Sequence, residues 1–285
     1  MRRWSFTKGH GTENDFVVLL DRDAALHIGP AEVRYLCDRR AGLGADGLLR
    51  AVAVRHMQDE VGGPGWDGDG STWFMDYRNA DGSVAEMCGN GLRVFARFLF
   101  DADLASGPTV AIATRAGMQQ ATALSDGRIR VSMGPVTVGA AEATVTVSTA
   151  DGETFAALPA DVGNPHAVSF VDDPARLDLH AAPRYPAETF PDGVNLEFVR
   201  ELGPRHLQLR VHERGVGETR SCGTGTVAAA AASRVHTADT TPLPVTYRVD
   251  VPGGSVEVEL ADDQAYLTGP AVLVASGQVT VPEEG

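Results

Sequence analysis

Lysine is nearly absent from this 285-residue chain: Lys8 is the only one. Pyridoxal chemistry needs a lysine for its Schiff base, so it would hang on one residue near the N-terminus, and we set it aside. Basic charge is also scarce, with 24 Lys+Arg against 38 Asp+Glu and a net charge of −14. That balance argues against nucleic acid or an anionic membrane as the main partner. No stretch approaches the roughly 20 apolar residues of a spanning helix. The opening Met1-Arg2-Arg3-Trp4-Ser5 is followed by no apolar run, so no signal peptide is expected. Three cysteines do not make a disulfide framework. Hydrophobic residues at 43% and charged ones at 22% are a globular composition. A cytoplasmic enzyme or binding protein is the expectation.

Two short stretches echo each other: Met87-Cys88-Gly89-Asn90-Gly91 and Ser221-Cys222-Gly223-Thr224-Gly225. Each is followed by a run that predicts a helix, Leu92 to Leu99 with apolar residues at three- and four-residue spacing, and Thr226 to Ala232 with five alanines. Glycines at a helix start let the backbone approach a ligand, and the free N–H groups there favour an anion. The same field lowers the pKa of a thiol.

Strands are predicted at 15–20, 48–54, 72–77, 109–115, 119–124 and 129–133, then at 144–148, 167–171, 194–199, 207–212, 245–251, 255–260 and 265–268. Lys8 to Asn14 reads as turn-rich, and Pro30 to Arg40 as a helix whose apolar face holds Val33, Leu36 and Cys37, which makes Cys37 a core residue. Gln58 to Ser71, rich in Gly and Asp, reads as an exposed loop. The order strand, polar turn, C-G-x-G, helix, hairpin occurs twice. Cys88 and Cys222 lie 134 residues apart, and Gly134-Pro135 and Gly269-Pro270 lie 135 apart. This near-constant offset predicts an internal duplication. The halves are residues 1–133 plus 271–285, carrying Cys88, and 134–270, carrying Cys222, with the two motifs facing an interdomain cleft.

Two cysteines at helix starts, acting on one carbon from opposite sides, suit stereoinversion. One thiolate removes a proton while the opposing thiol delivers another. The carbanion would delocalise into a neighbouring carboxylate held by the helix N-termini. Buried structural cysteines and a dithiol switch are the competing readings.

Taken together, the motifs resemble the diaminopimelate epimerase family over nearly the whole chain. They are Phe6-Thr7-Lys8 with Gly11-Thr12-Glu13-Asn14-Asp15-Phe16, Gly42-Leu43-Gly44-Ala45-Asp46-Gly47, Asn79-Ala80-Asp81-Gly82-Ser83 with the first cysteine motif, Gly163-Asn164-Pro165-His166, Val194-Asn195, and Glu213-Arg214-Gly215 through the second motif. The resemblance implies an α+β fold of two pseudo-symmetric domains, each a mostly antiparallel or mixed sheet around a central helix. It implies a cofactor-independent epimerase, without metal, that interconverts LL- and meso-diaminopimelate in lysine and peptidoglycan precursor biosynthesis, and it leaves room for a homodimer. Carried over, Cys88 and Cys222 are the acid–base pair. Gly89, Asn90, Gly223 and Thr224 hold the reacting carboxylate, and Glu213 accepts from the reacting ammonium. Asn14, Asn79, Asn164, Asn195 and Arg214 grip the rest of the substrate, with His166 a site neighbour. The chain departs from the pattern at Gly47, where some members carry a glutamine that contacts substrate.

Two alternatives stay open at this point. Proline and hydroxyproline racemases also use two opposed cysteines, but typically carry His where this chain has Asn90, and lack the Glu213-Arg214-Gly215 turn. A Cys88–Cys222 redox switch is a different class.

Overall fold

The computed structural model describes residues 1–61 and 70–282. Most of the loop predicted at Gln58 to Ser71 lies outside the described residues; its start, Gln58–Glu60, is a single 3-10 turn. The chain forms two compact units, Met1–Val131 with Pro270–Gly285 and Ser132–Gly269.

The first unit contains β1 (Arg2–Gly11), β2 (Asn14–Leu20), α1 (Pro30–Cys37), β3 (Gly47–Ala53), β4 (Trp73–Asn79), α2 (Gly89–Asp101), β5 (Thr109–Thr114), β6 (Gly117–Ala123) and the start of β7 (Ile129–Gly134). The second contains β8 (Thr137–Val138), β9 (Val145–Ser148), β10 (Thr154–Asp161), β11 (Pro165–Phe170), β12 (Asn195–Gly203), β13 (His206–Glu213), β14 (Gly217–Thr219), α3 (Gly223–His236), β15 (Val245–Val251), β16 (Gly254–Leu260) and β17 (Ala265–Gly269). The last strand, β18 (Val272–Val281), pairs antiparallel with β1.

The pairing repeats from one unit to the other. From β1 to β7 consecutive strands pair antiparallel, parallel, antiparallel, parallel, antiparallel, antiparallel. From β10 through β11, β12, β13, β15 and β16 to β17 the order of pairings is the same. The helix enters at the matching place, α2 between β4 and β5 and α3 between β13 and β15.

Each helix is the centre of its unit. Gly89 through Ala96 of α2 are all buried, and so are Gly225 through Ser233 of α3. A helix buried on every side needs sheet on every side, and α2 packs on β1, β2, β3, β4, β6 and β18, while α3 packs on β8, β10, β11, β12, β13, β15, β16 and β17. The alanine run of α3 lets those strands come close. Cys37 sits in the core with Trp4, Val17, Leu19, Leu36 and Leu48, where burial pushes its thiol up to about 12.

Two local expectations fail, and one strand is not foreseen. Lys8 to Gly11 is strand, and only Thr12 and Glu13 turn, both at positive φ (51° and 62°); pairing on β2 and β18 outweighs the turn propensity of the glycines. Helix α1 stops at Cys37 rather than Arg40, because Asp38 is extended and its carboxylate takes the N–H groups of Arg40 and Ala41, each at 2.7 Å. Strand β10 was hidden by Pro159, which breaks a strand pattern; here its carbonyl accepts the Gly139 N–H at 2.9 Å while flanking residues make the ladder.

Candidate active site

In the first unit, Cys88 is the N-cap of α2, with extended backbone and its sulfur accepting the Gly91 N–H at 3.4 Å. A cysteine in the place of the usual Ser or Asp cap leaves its sulfur in the positive field of the helix start. Around it runs a chain of amides. Cys88 Sγ lies 3.7 Å from Asn14 Oδ1, which also accepts from Asn90 Nδ2 at 3.2 Å. The other end of Asn14 donates to Asp46 Oδ2 at 2.8 Å. Asn90 Oδ1 accepts from Arg93 at 3.0 Å. Asn79 stands at the end of β4 opposite Gly47, with its amide on Ser83 Oγ at 3.0 Å. Of the first-unit residues singled out in the sequence, the structure gathers Asn14, Cys88, Gly89 and Asn90, and puts Asn79 one register step from Asp46.

Asp15 anchors this corner from outside. Burial raises its pKa, but hydrogen bonds and charge from Arg39 and Lys8 outweigh that and bring it down to about 2. Arg39 also reaches Asp46 at 2.7 Å, and Lys8, the sole lysine, is an ion-pair partner of Asp15 at 2.5 Å.

In the second unit, Cys222 caps α3 and is buried. Its sulfur lies 3.5 Å from Thr224 Oγ1. Asn164 Nδ2 donates to the same Thr224 oxygen at 3.3 Å, and Asn164 Oδ1 pairs with His166 Nε2 at 2.9 Å. His166 Nδ1 meets Glu197 Oε1 at 2.7 Å, and both side chains are wholly buried. Burial raises the Glu197 pKa against the pull of His166. Glu213 is bonded by Thr219, and burial raises its pKa as well. Cys222 is driven well above the usual thiol range, first by burial and then by the Glu213 and Glu197 charges.

Asn195 serves the backbone: its Oδ1 accepts the Arg214 N–H at 3.0 Å and its Nδ2 reaches Pro165 O at 3.3 Å. It ties the Arg214 turn to the start of β11. Arg214 itself is exposed, with Nη1 on Asp192 O at 3.1 Å and its stem over Gly193. Gly225 is needed for space: a Cβ there would meet Glu197 Oε1 at 2.8 Å and Cys222 Sγ at 3.4 Å.

The departure at Gly47 has a steric cause. A Cβ at this position would meet Tyr77 Cε2 at 2.7 Å and Arg78 O at 2.8 Å. The Tyr77 ring, edge-on to Phe16, occupies the space of a side chain.

A model of the diaminopimelate epimerase family matches residues 6–139 and 159–274. This chain belongs to the diaminopimelate epimerase family. Among the relatives, the diaminopimelate epimerase of Streptomyces coelicolor is 50% identical over 97% of this chain and 95% of its own length. That of Thermobifida fusca is 49% identical over 96% and 97%. In the solved structures the fold recurs at much lower identity. A Bacillus anthracis phenazine biosynthesis protein of the PhzF family superposes with a TM-score of 0.71 at 14% identity, covering 99% of this chain and 100% of its own. A hydroxyproline epimerase from Agrobacterium vitis gives 0.67 at 15%, covering 98% and 91%. The diaminopimelate epimerase family is thus shown by sequence, while the wider likeness is one of fold alone.

The residues that sequence reasoning passed over are Thr12, Asp46, Arg93, Glu197 and Thr219. Glu197 left a signal, a lone acid in the otherwise apolar run Leu196-Glu197-Phe198-Val199. Arg93 left none, because an arginine in an amphipathic helix reads as its solvent face. Among the described residues no cluster of His, Cys, Asp and Glu could hold a metal ion, and no helix is long and apolar enough to cross a membrane.

Proposed function

We propose that the chain interconverts LL- and meso-diaminopimelate by a two-base mechanism, with Cys88 and Cys222 acting on one α-carbon from opposite faces. The observation that carries this reading is the matched placement of the two thiols. Each is the N-cap of the buried central helix of its unit, each in C-G-x-G, within repeated strand pairing. Relatives at 49% and 50% identity, named diaminopimelate epimerases, supply the substrate.

In the forward step a thiolate takes the α-proton and the electron pair passes into the α-carboxylate. The opposite thiol delivers its proton to the other face, so the two sulfurs exchange protonation states in each turnover. The N–H groups at the starts of α2 and α3, with Asn90 and Thr224, receive the carboxylate charge. Glu213 accepts from the α-ammonium. Asn14, Asn79, Asn164, Asn195 and Arg214 bind the remaining substrate, Arg214 at the distal carboxylate. Two carbon acids of opposite hand are served by residues of this chain alone, and the setting is a cytoplasmic pathway to lysine and peptidoglycan precursors.

The test is incubation of LL-diaminopimelate with the protein in deuterated water, followed by chiral analysis. Meso product carrying deuterium at the inverted carbon is expected. Turnover of proline or hydroxyproline in its place, with diaminopimelate inert, would overturn the reading.

A further inference from the structure

Three side chains link the buried Glu197 carboxyl to the Cys222 sulfur in an unbroken line. Glu197 Oε1 meets His166 Nδ1 at 2.7 Å, and His166 Nε2 meets Asn164 Oδ1 at 2.9 Å. Asn164 Nδ2 donates to Thr224 Oγ1 at 3.3 Å, and that oxygen lies 3.5 Å from Cys222 Sγ. The line is built on β11, β12 and the first turn of α3. On these parallel strands His166 pairs with Asn195 and Val168 with Glu197, so alternation puts the His166 and Glu197 side chains on one face. It is the face toward α3, where a Cβ on Gly225 would meet Glu197 Oε1 at 2.8 Å.

The line has a direction. An amide oxygen only accepts, so the ring proton facing Asn164 Oδ1 sits on His166 Nε2. The other end of the amide donates, so Thr224 Oγ1 accepts there and its own proton is left for the Cys222 sulfur. With the amide turned end for end, Nε2 would accept, Thr224 would donate to Asn164, and the sulfur would face an acceptor. The protonated ring nitrogen decides between the two orders. A carboxyl that shares one proton with Nδ1 leaves a hydrogen on Nε2 in either form, as acid beside neutral ring or carboxylate beside imidazolium. Either way the pair is neutral as a whole, and burial, which raises the Glu197 pKa, favours keeping that proton.

We infer that Glu197 is a positioning residue for Cys222: by sharing a proton with His166 Nδ1 it holds the ring as an Nε2 donor, which turns the Asn164 amide and aims the Thr224 hydroxyl at the sulfur. The aimed donor counts most once Cys222 has passed its proton to substrate, because hydrogen bonds to a charged group are roughly twice as strong as neutral ones. A purely structural pair would account for the 2.7 Å contact and its burial. It gives no reason for the amide and hydroxyl that carry the line on to sulfur.

This assignment rests on the two-base reading for its catalytic meaning, but the ring proton is read without substrate. Nitrogen NMR of histidine-labelled protein should show a proton on His166 Nε2 at neutral pH, with the signals identified by their loss in a His166→Phe, Glu197→Leu double variant. A proton on Nδ1 alone would overturn the assignment. In Glu197→Gln the amide oxygen takes the single ring proton, so the proton should move to Nδ1 and kcat should fall about tenfold or more, the worth of a hydrogen bond to a charged group. Retention of the Nε2 proton, or an unchanged kcat, would overturn the part given to Glu197. The double variant removes both partners without stranding a charge. Folded by circular dichroism, it should lose about as much kcat as Glu197→Gln, and should lower kcat no further when added to Thr224→Val. Losses that multiply would mark a structural effect and overturn the assignment; the Glu197→Gln results decide if the double variant fails to fold. An inactive wild type with its proton on Nε2 would instead count against the proposed function.

Discussion

His166 Nδ1 lies 2.7 Å from Glu197 Oε1, with both side chains wholly enclosed beneath the start of α3. Glu197 Oε2 has no hydrogen-bond partner among the described residues, so His166 is what satisfies this carboxyl. Removing one member of such a pair leaves the other buried alone, at a cost of about 3–5 kcal/mol. His166→Ala should therefore lower unfolding free energy by that amount in urea titration. Glu197→Gln should cost less, because its amide oxygen can still accept from the ring. Equal stability of His166→Ala and wild type would refute the account.

The two helix-capping thiols should be indispensable and the third dispensable. Cys88→Ala and Cys222→Ala should each lower kcat by at least the roughly 100-fold of a positioned acid or base. Cys37 packs among Trp4, Leu36 and Leu48, so Cys37→Ala should leave kcat unchanged and cost about 1 kcal/mol of stability. Rates of epimerisation for the three variants decide the matter.

Arg214 tests how the far end of the substrate is read. It is exposed, and bonded through Nη1 to one backbone carbonyl, which leaves the guanidinium fork available. Arg214→Lys should lower kcat/KM for diaminopimelate at least tenfold, since an ammonium cannot make the two-pronged contact. Lysine, which lacks the distal carboxylate, should be turned over poorly by wild type and variant alike. An unchanged kcat/KM for diaminopimelate in Arg214→Lys would remove the residue from the binding set.

Gly47 should not accept the glutamine that some family members carry. The obstacles are the Tyr77 ring and, at 2.8 Å from an added Cβ, the Arg78 carbonyl oxygen. Relief would need β4 to move, at about 1–3 kcal/mol for an overpacked site. Gly47→Gln should thus show a lower melting temperature and weaker activity, not a gain in affinity.

Acid should loosen the Asp15 corner. Its folded pKa, about 2, lies below the ordinary carboxylate value. A depressed carboxylate pKa contributes stability that is present above the unfolded value, near 4, and is lost as pH falls toward 2. The contribution is about 2 kcal/mol. Asp15→Asn should be destabilised relative to wild type at pH 6, and the difference should shrink toward pH 2. A difference that stays constant with pH would show that the ion pairs with Arg39 and Lys8 contribute nothing through charge.

Much of this protein was legible from residue order alone, because the information was local. Glycines beside Cys88 and Cys222 announced helix starts, alternation announced most strands, and the offset between the motifs announced a repeat that the strand pairing carries through. The family, too, was readable from short motifs. What tertiary structure decided was the fate of charge and of exceptions. Strand β10 forms despite Pro159, because pairing on both sides tolerates one missing donor. Tyr77, thirty positions away in the chain, makes glycine the only residue that fits at 47. In sequence Arg93 reads as the solvent face of its helix and Glu197 as a lone acid in an apolar run. Only the fold encloses one at the Cys88 helix with Nε and Nη1 unpartnered among the described residues, and the other with a histidine at the Cys222 helix. Periodicity determines which way a side chain is turned, but burial of an ionised group is a sum over distant segments, and that sum exists only once the sheets have closed around the helices.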